Sequence, residues 1–320
     1  MTSSNPCPLC GEKIRLKTTG GLPDQLFSLP DRFAIVRCLS CGLGFLDPIP
    51  STEILARHYP SVYYGKNPPL SPDFAAYRWR LDAIRRFVDG GRILDIGCGA
   101  GGFVRFLSLR GWDSHGVDNS AHALALAESI NPGRIRLCPL GPELPYPDDS
   151  FDAATLFEVM EHVPSPRESL AEARRILKPA GFLFFSVPNF ASLESLVFGR
   201  AWIGLDVPRH IFQFTPDSVN RFLKEVSFAP RLVRSINACR IQAGRDRASY
   251  CRESIRYWLR RIGLYTQPRQ LPVGNAQAVS LPTQTRTDSV RLLENAVWSL
   301  FCGSASLFDA ENTIWVAAQK

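Results

Sequence analysis

The chain has 320 residues, 45% of them hydrophobic, and a formal net charge of +7. That composition excludes wholesale disorder, and no apolar run reaches the ~18–20 residues that a bilayer-crossing helix needs. Nine cysteines, an odd number, follow an N-terminus (Met1 to Pro8) without a signal-like apolar stretch, which argues against a disulfide framework and makes the cytoplasm the expected compartment.

Residues 1–50 carry two short turns, Cys7-Pro8-Leu9-Cys10-Gly11 and Cys38-Leu39-Ser40-Cys41-Gly42, with a strand expected over 33–37 feeding the second. Each glycine permits a tight turn whose backbone N–H groups face thiolate sulfur. Four thiolates suit a closed tetrahedral site, so Cys7, Cys10, Cys38 and Cys41 are expected to hold a structural Zn2+ in a zinc-ribbon-like module. So small a module builds little core, and the metal would supply folding energy. A lost or redox-active cysteine set is the alternative.

Residues 51–90 read as a linker and a lead-in helix over about 73–88. From 91 onward, short apolar runs alternate with helical patterns, as in a doubly wound α/β sheet. Strands are expected at 92–96, 112–117, 134–138, 152–157, 182–187, 230–236 and 312–318. Helices are expected at 102–110, 121–129, 166–177 and 215–226. Such sheets bind ligands where the strands end at their C-terminal edge.

The first of these strands runs into Asp95-Ile96-Gly97-Cys98-Gly99-Ala100-Gly101-Gly102, which lets a ligand approach the backbone and a helix N-terminus. Asp95 precedes the glycines, where a carboxylate suits a ligand ammonium group. Asp118 ends the second strand 21 residues after Gly97, where an acid accepts ribose hydroxyls.

Ile93-Leu94-Asp95-Ile96-Gly97-Cys98-Gly99 resembles the first motif of class I S-adenosylmethionine-dependent methyltransferases. Leu144-Pro145-Tyr146-Pro147-Asp148-Asp149-Ser150-Phe151-Asp152, Glu158-Val159-Met160-Glu161-His162-Val163 and Leu177-Lys178-Pro179-Ala180-Gly181-Phe182 resemble that family's later segments, in order, over residues 87–228. The resemblance implies that Asp95, Gly97 and Gly99 hold the methionine end of S-adenosyl-L-methionine. It places Asp118 and Asn119 at the ribose, and Phe157 and Glu158 along the cofactor. Many relatives carry an acid after the third strand for the adenine; here Cys138-Pro139-Leu140-Gly141 stands there, leaving the Gly141 backbone for that contact. Tyr63 and Tyr64, upstream of the glycine loop, stand where relatives often carry aromatics that cap the cofactor; Tyr64 is the one assigned to the site.

Methyl transfer mainly requires alignment, but an oxygen nucleophile also needs help in losing its proton. His162 and His210 are the candidate bases. His58, His115 and His122 read as structural or exposed. Asp206-Val207-Pro208-Arg209-His210, followed by Phe214-Thr215-Pro216, resembles a zinc-knuckle-bearing methyltransferase subgroup, many of whose members are predicted to act on polysaccharide or other cell-surface precursors. Arg209 is expected to pair a substrate phosphate or carboxylate.

Residues 237–311 form an insertion, expected as a lid. Ten arginines fall between 231 and 269 against Asp246 and Glu253. Ile255, Trp258, Leu259 and Ile262 form a basic amphipathic helix, and Val290, Leu293, Val297 and Leu300 a second stripe. Packing onto the domain is the ordinary use of such stripes; contact with the inner membrane face is the sharper one. The expected function is methyl transfer to a hydroxyl of a small-molecule or glycan acceptor, including lipid-linked precursors. An RNA base methyltransferase and a non-catalytic cofactor-binding zinc protein remain open. Nucleic acid is disfavoured as a partner because no aromatic stacking set accompanies the arginines.

Overall fold

The computed structural model describes residues 6–59 except 14 and 28, 75–236 except 140 and 142, and 311–320. Two sheets organise them. The larger has seven strands: β4 (Arg92–Ile96), β5 (Asp113–Asp118), β6 (Ile135–Leu137), β7 (Phe151–Phe157), β8 (Leu177–Pro188), β10 (Ala229–Ile236) and β11 (Thr313–Gln319), in the order β10-β11-β8-β7-β4-β5-β6. Six strands run in one direction, and β11, between β8 and β10, runs against them. The order reverses between β4 and β7, so a crevice opens beyond the ends of those two strands.

Side-chain alternation accounts for coverage on both faces. Leu183, Phe185 and Val187 of β8 join Ile314, Val316 and Ala318 of β11 in one core cluster. That cluster also takes Leu170, Ala173 and Ile176 of α5 (Pro166–Ile176) and Val219, Phe222 and Leu223 of α7 (Pro216–Glu225). Phe184, Trp315 and Ala317 point the other way, toward α2 (Ala75–Arg85) and α3 (Gly102–Ser108) through Tyr77, Leu81, Ile84, Phe103 and Phe106. On α4 (Ala121–Glu128), Ala127 packs with Val104 and Ile135. Thr215 caps α7 in a reciprocal pair with Ser218, ahead of Pro216 at the first turn.

The expected strands of the larger sheet are present, with one difference in extent. β8 begins at Leu177, because Leu177 pairs with Phe151 before Lys178 to Gly181 bulge out and pairing resumes at Phe182 with Ala153. That stretch lies between the helix expected at 166–177 and the strand expected at 182–187, where Pro179 and Gly181 interrupt the apolar pattern.

The N-terminal sheet has four strands, β1 (Arg15–Pro23), β2 (Arg32–Cys38), β3 (Gly44–Leu46) and β9 (Phe212–Gln213), all antiparallel. Its last strand thus comes from the 206–216 segment. Helix α1 (Thr52–Arg57) follows, capped by Ser51, and helix α6 (Leu193–Phe198), capped by Ser192, lies between β8 and β9 in the chain. One face buries Leu22, Ile35 and Leu46 against Trp202, Leu205 and Val207.

Beneath this sheet lies a buried ionic cluster. Arg209 has no solvent exposure. Its Nη1 and Nη2 donate to both oxygens of Asp24 at 3.0 and 2.8 Å, its Nε donates to Asp206 at 3.0 Å, and Nη1 also donates to the His58 carbonyl at 3.0 Å. His58, equally buried, faces Asp24 at 2.6 Å and Asp31 at 3.2 Å through its two ring nitrogens. Burial pushes the Asp24 carboxyl up, but bonds from Arg209, the Phe27 N–H and His58 outweigh it and hold it down at about 2. Arg209 is therefore saturated by protein carboxylates, which corrects its expected role as a substrate-anion partner.

Asp24→Asn leaves a buried guanidinium half-compensated. It should cost about 3–5 kcal/mol in denaturant unfolding. A loss below about 1 kcal/mol would show that the cluster does not hold the two sheets together.

Candidate functional site

At the end of β4 the chain turns sharply through Gly97, Gly99 and Gly101, all with positive φ (73, 54 and 75°). Gly101 leads into α3 in a left-handed conformation, and a Cβ there would lie 2.3 Å from Ile135 and 2.6 Å from Asn131. Asn131 completes the clasp, its side-chain amide donating to the Gly101 carbonyl at 3.0 Å. Asp118, at the end of β5, accepts the Gly99 N–H on one oxygen (2.8 Å) and the Ser120 N–H on the other (2.9 Å). Each oxygen keeps a lone pair for a hydroxyl ligand. Burial raises its pKa despite these bonds.

Asp95 lies under the turn, 6% exposed, with Thr155 Oγ1 donating to it at 2.6 Å. Burial pushes its carboxyl up to about 6, against the Thr155 bond and the nearby Arg80 charge. Arg80, on α2, was not singled out from sequence. Its guanidinium stacks 4.5 Å from the centroid of the Phe157 ring, with Phe103 and Tyr77 beside it. A basic residue in an amphipathic helix carries no local signal of such a position.

The turn opens onto a cavity of about 810 Å³ lined by Gly97, Asp118, Asn119, Leu137, Cys138, Pro139, Glu158, His162 and, from the N-terminal part, Leu55 and Tyr59. Of the expected cofactor residues, Gly97, Asp118, Asn119 and Glu158 stand on its wall. Asp95 and Gly99 lie behind the wall and shape it. Phe157 stands back as well, 8% exposed and stacked on Trp315 at 5.3 Å. The Gly141 N–H donates to the Pro139 carbonyl at 3.0 Å, so of the backbone expected to meet the adenine, the donor is used by the turn and the carbonyl is the group left for a ligand. Tyr64 and residues 237–310 lie outside the described residues. Glu158 adopts φ 58° and accepts from Ser186 Oγ at 2.8 Å, which fixes its carboxylate after β7.

The two expected bases meet, with ring centroids 4.7 Å apart, but only His162 reaches the cavity. His162 Nδ1 lies 3.0 Å from the Arg209 carbonyl and 2.9 Å from Tyr59 Oη. A carbonyl only accepts, so Nδ1 carries the proton and Nε2 the lone pair. Burial, then the neighbouring His210, holds the His162 pKa well below the usual imidazole value, so the ring is neutral. His210, 7% exposed, donates through Nδ1 to the Gly204 carbonyl at 2.8 Å and stands behind His162. Glu161 was also missed as a site residue. Its side chain is 1% exposed and 3.9 Å from His210 Nε2. Burial and the charge of Glu158 drive its pKa well up.

The four cysteines converge as expected. Cys7 and Cys41 sulfurs are 3.7 Å apart and Cys10 and Cys38 sulfurs 3.5 Å, too far for a bond of about 2.05 Å. The edges of a tetrahedron with metal–sulfur bonds of about 2.3 Å measure about 3.8 Å. Both turns close alike: Gly11 N–H on the Cys7 carbonyl (2.8 Å) and Gly42 N–H on the Cys38 carbonyl (3.0 Å), each glycine with positive φ.

A family model described as a methyltransferase domain matches residues 73–233. The chain is similar to a ubiquinone biosynthesis O-methyltransferase of Chromobacterium violaceum, 30% identical over 174 residues that cover 51% of this chain and 72% of that protein. It is also similar to the protein of that name in Paraburkholderia phymatum, 33% identical over 38% of this chain and 55% of that one. Among solved structures, a SAM-dependent methyltransferase from Archaeoglobus fulgidus shares 18% identity at a TM-score of 0.45, over 76% of this chain and 94% of that one.

Gly101→Ala adds both an unfavourable φ and a clash with Ile135. It should destabilise the fold by about 2–4 kcal/mol in denaturant titration. A stability unchanged within error would mean that the turn relaxes freely and that its shape is not set by packing.

Proposed function

The chain belongs to the methyltransferase-domain family of S-adenosylmethionine-dependent enzymes, and from that premise we propose that it methylates a hydroxyl of a small-molecule acceptor. The observation that carries this reading is the convergence on one cavity of the glycine turn, the anchored Asp118 and a neutral histidine with its lone pair on Nε2.

The cavity fits the cofactor by the chemistry of its donors. Asp95, behind the turn, suits the ammonium end and Asp118 the ribose hydroxyls. Leu137, Cys138 and Pro139 supply an apolar wall for the base, with no acid to read its amino group. The cofactor supplies an electrophilic methyl group on a sulfonium; as the carbon–oxygen bond forms, the carbon–sulfur bond breaks and the hydroxyl proton must depart. His162 is the wall residue placed to ease that proton off. Tyr59 and the Arg209 carbonyl hold its ring, and His210 backs it. The same relatives that suggest an oxygen acceptor are named for ubiquinone biosynthesis; here the acceptor class is taken only as a small hydroxylated molecule. The glycan and lipid-linked acceptors expected from the Arg209-His210 subgroup draw no support from the described residues. Likewise, no described helix is long and apolar enough to cross a membrane, and the basic stripes expected to touch one lie outside the described residues.

The cysteine cluster is read as a structural Zn2+ site held by Cys7, Cys10, Cys38 and Cys41. Four sulfurs leave no open coordination position, so the metal's work is to hold the turns together. Cys38→Ser with Cys41→Ser should release one zinc per chain and lower the thermal midpoint by roughly 10 °C or more. Equal metal content in the variant would overturn the assignment.

Calorimetric titration with S-adenosylmethionine and S-adenosylhomocysteine tests the main reading. Micromolar binding is expected in the wild type and should be lost in Asp95→Ala and Asp118→Ala. No heat from folded wild type would sink it. The titration has a pH signature as well. The Asp95 carboxyl titrates at about 6, so its charged form prevails above that pH and is lost below it. Affinity should fall about tenfold one pH unit below that point, and Asp95→Asn should bind weakly at every pH.

A further inference from the structure

We propose that Glu161, His162 and His210 form a second metal site, one for a divalent transition-metal cation, separate from the cysteine cluster. One ligand atom from each residue falls within 4.8 Å of the other two. Three independent features of these residues point the same way.

The first is Glu161. Its side chain is 1% exposed, and neither carboxylate oxygen has a hydrogen-bond partner. A buried carboxylate without donors carries a large desolvation penalty, which a bound cation removes. Its backbone is tied in place, the carbonyl accepting from Ile211 N–H at 2.7 Å and Phe212 N–H at 3.2 Å.

The second is the orientation of the imidazoles. Each Nδ1–H donates to a backbone carbonyl, His162 to Arg209 and His210 to Gly204. This is how metal-binding histidines are held: the outer nitrogen is anchored, the tautomer is settled, and Nε2 is left as the ligand atom. His210 Nε2 lies 3.9 Å from a Glu161 oxygen. Ligands at about 2.1 Å from a metal stand about 3–3.4 Å apart, so occupancy draws the three side chains inward by about 1 Å or less.

The third is the surrounding charge. Glu158 and Asp206 both act on Glu161 with negative charge. Arg209, the nearby cation, is already matched by Asp24 and Asp206. Two imidazoles and one carboxylate suit the zinc-to-manganese series rather than magnesium or calcium, which prefer all-oxygen shells. Three protein ligands also leave positions open, unlike the cysteine cluster.

His162 borders the cavity, so a cation held on its ring would stand beside the space proposed for an acceptor hydroxyl; this consequence rests on the oxygen-directed reading above. A cation there lowers the pKa of a hydroxyl that approaches it. With the cation bound, the Nε2 lone pair of His162 is spent on the metal and the proton leaves to solvent; the base role proposed above for His162 belongs to the metal-free chain. Cation binding itself is independent of the acceptor and can be tested without turnover.

The test uses the full chain, stripped of metal and refilled with cobalt(II) alone. Cobalt in the cysteine site gives intense thiolate charge-transfer bands, and cobalt on imidazole and carboxylate gives only weak visible bands. Wild type should bind two equivalents, the second without added charge-transfer intensity. Glu161→Gln, nearly isosteric, and His162→Gln, at the cavity wall, should each bind one, with the thiolate bands unchanged. These bands report that the N-terminal turns are still folded. Saturation of wild type at one equivalent, or retention of the second equivalent in both variants, would overturn the site. Neither result touches the cofactor reading, which stands or falls on S-adenosylmethionine titration of the wild type.

Discussion

A guanidinium enclosed by two carboxylates governs the arrangement of this protein. Arg209 reaches Asp24 in the loop after β1 and Asp206 just upstream of itself, with its side chain fully buried. Full burial makes the pairing all-or-none, because either partner alone would be an uncompensated charge in an apolar setting. The consequence spreads outward. The Arg209 carbonyl orients His162, and the His58 carbonyl, held by Arg209, precedes Tyr59, whose hydroxyl touches the same ring. A cluster far from the glycine turn thus sets the geometry of the opposite wall of the cavity.

The turn side of the cavity uses a different device. There the backbone is shaped by what cannot fit. Gly101 has no room for a side chain, and Asp118 ties the turn to the neighbouring strand through the Gly99 N–H. The acid expected to face a ligand therefore also has a structural duty. Such double use keeps the carboxylate in one orientation, which reduces the entropy lost on binding.

Much of this was legible before any coordinates. The strands of the larger sheet stood out because parallel central strands are apolar throughout; Gly97 and Asp118 followed from strand ends, whereas Asn119 and Glu158 came from the resemblance to class I methyltransferases. The N-terminal sheet was mostly hidden. Its first strand contains Gly20, Gly21 and Pro23 and is bulged, and its last is two residues long, so no periodicity marks either. Arg209 was misjudged because a lone arginine beside a histidine looks the same whether it faces solvent or two carboxylates 3 and 185 residues away. The Gly141 turn bond was equally hidden, since a short-range backbone bond is invisible in residue type.

The pairing of β3 with β9 has a consequence for biosynthesis. Gly44 and Phe45 find their partners in Gln213 and Phe212. A ribosome adding 5–20 residues per second makes β3 wait roughly ten to thirty seconds for that strand. Throughout this interval the nascent chain displays an unpaired strand edge, the kind of surface that invites wrong partners. The edge stays open until Phe212 emerges, so the N-terminal sheet is completed only after strands β4 to β8 of the larger sheet have already been made.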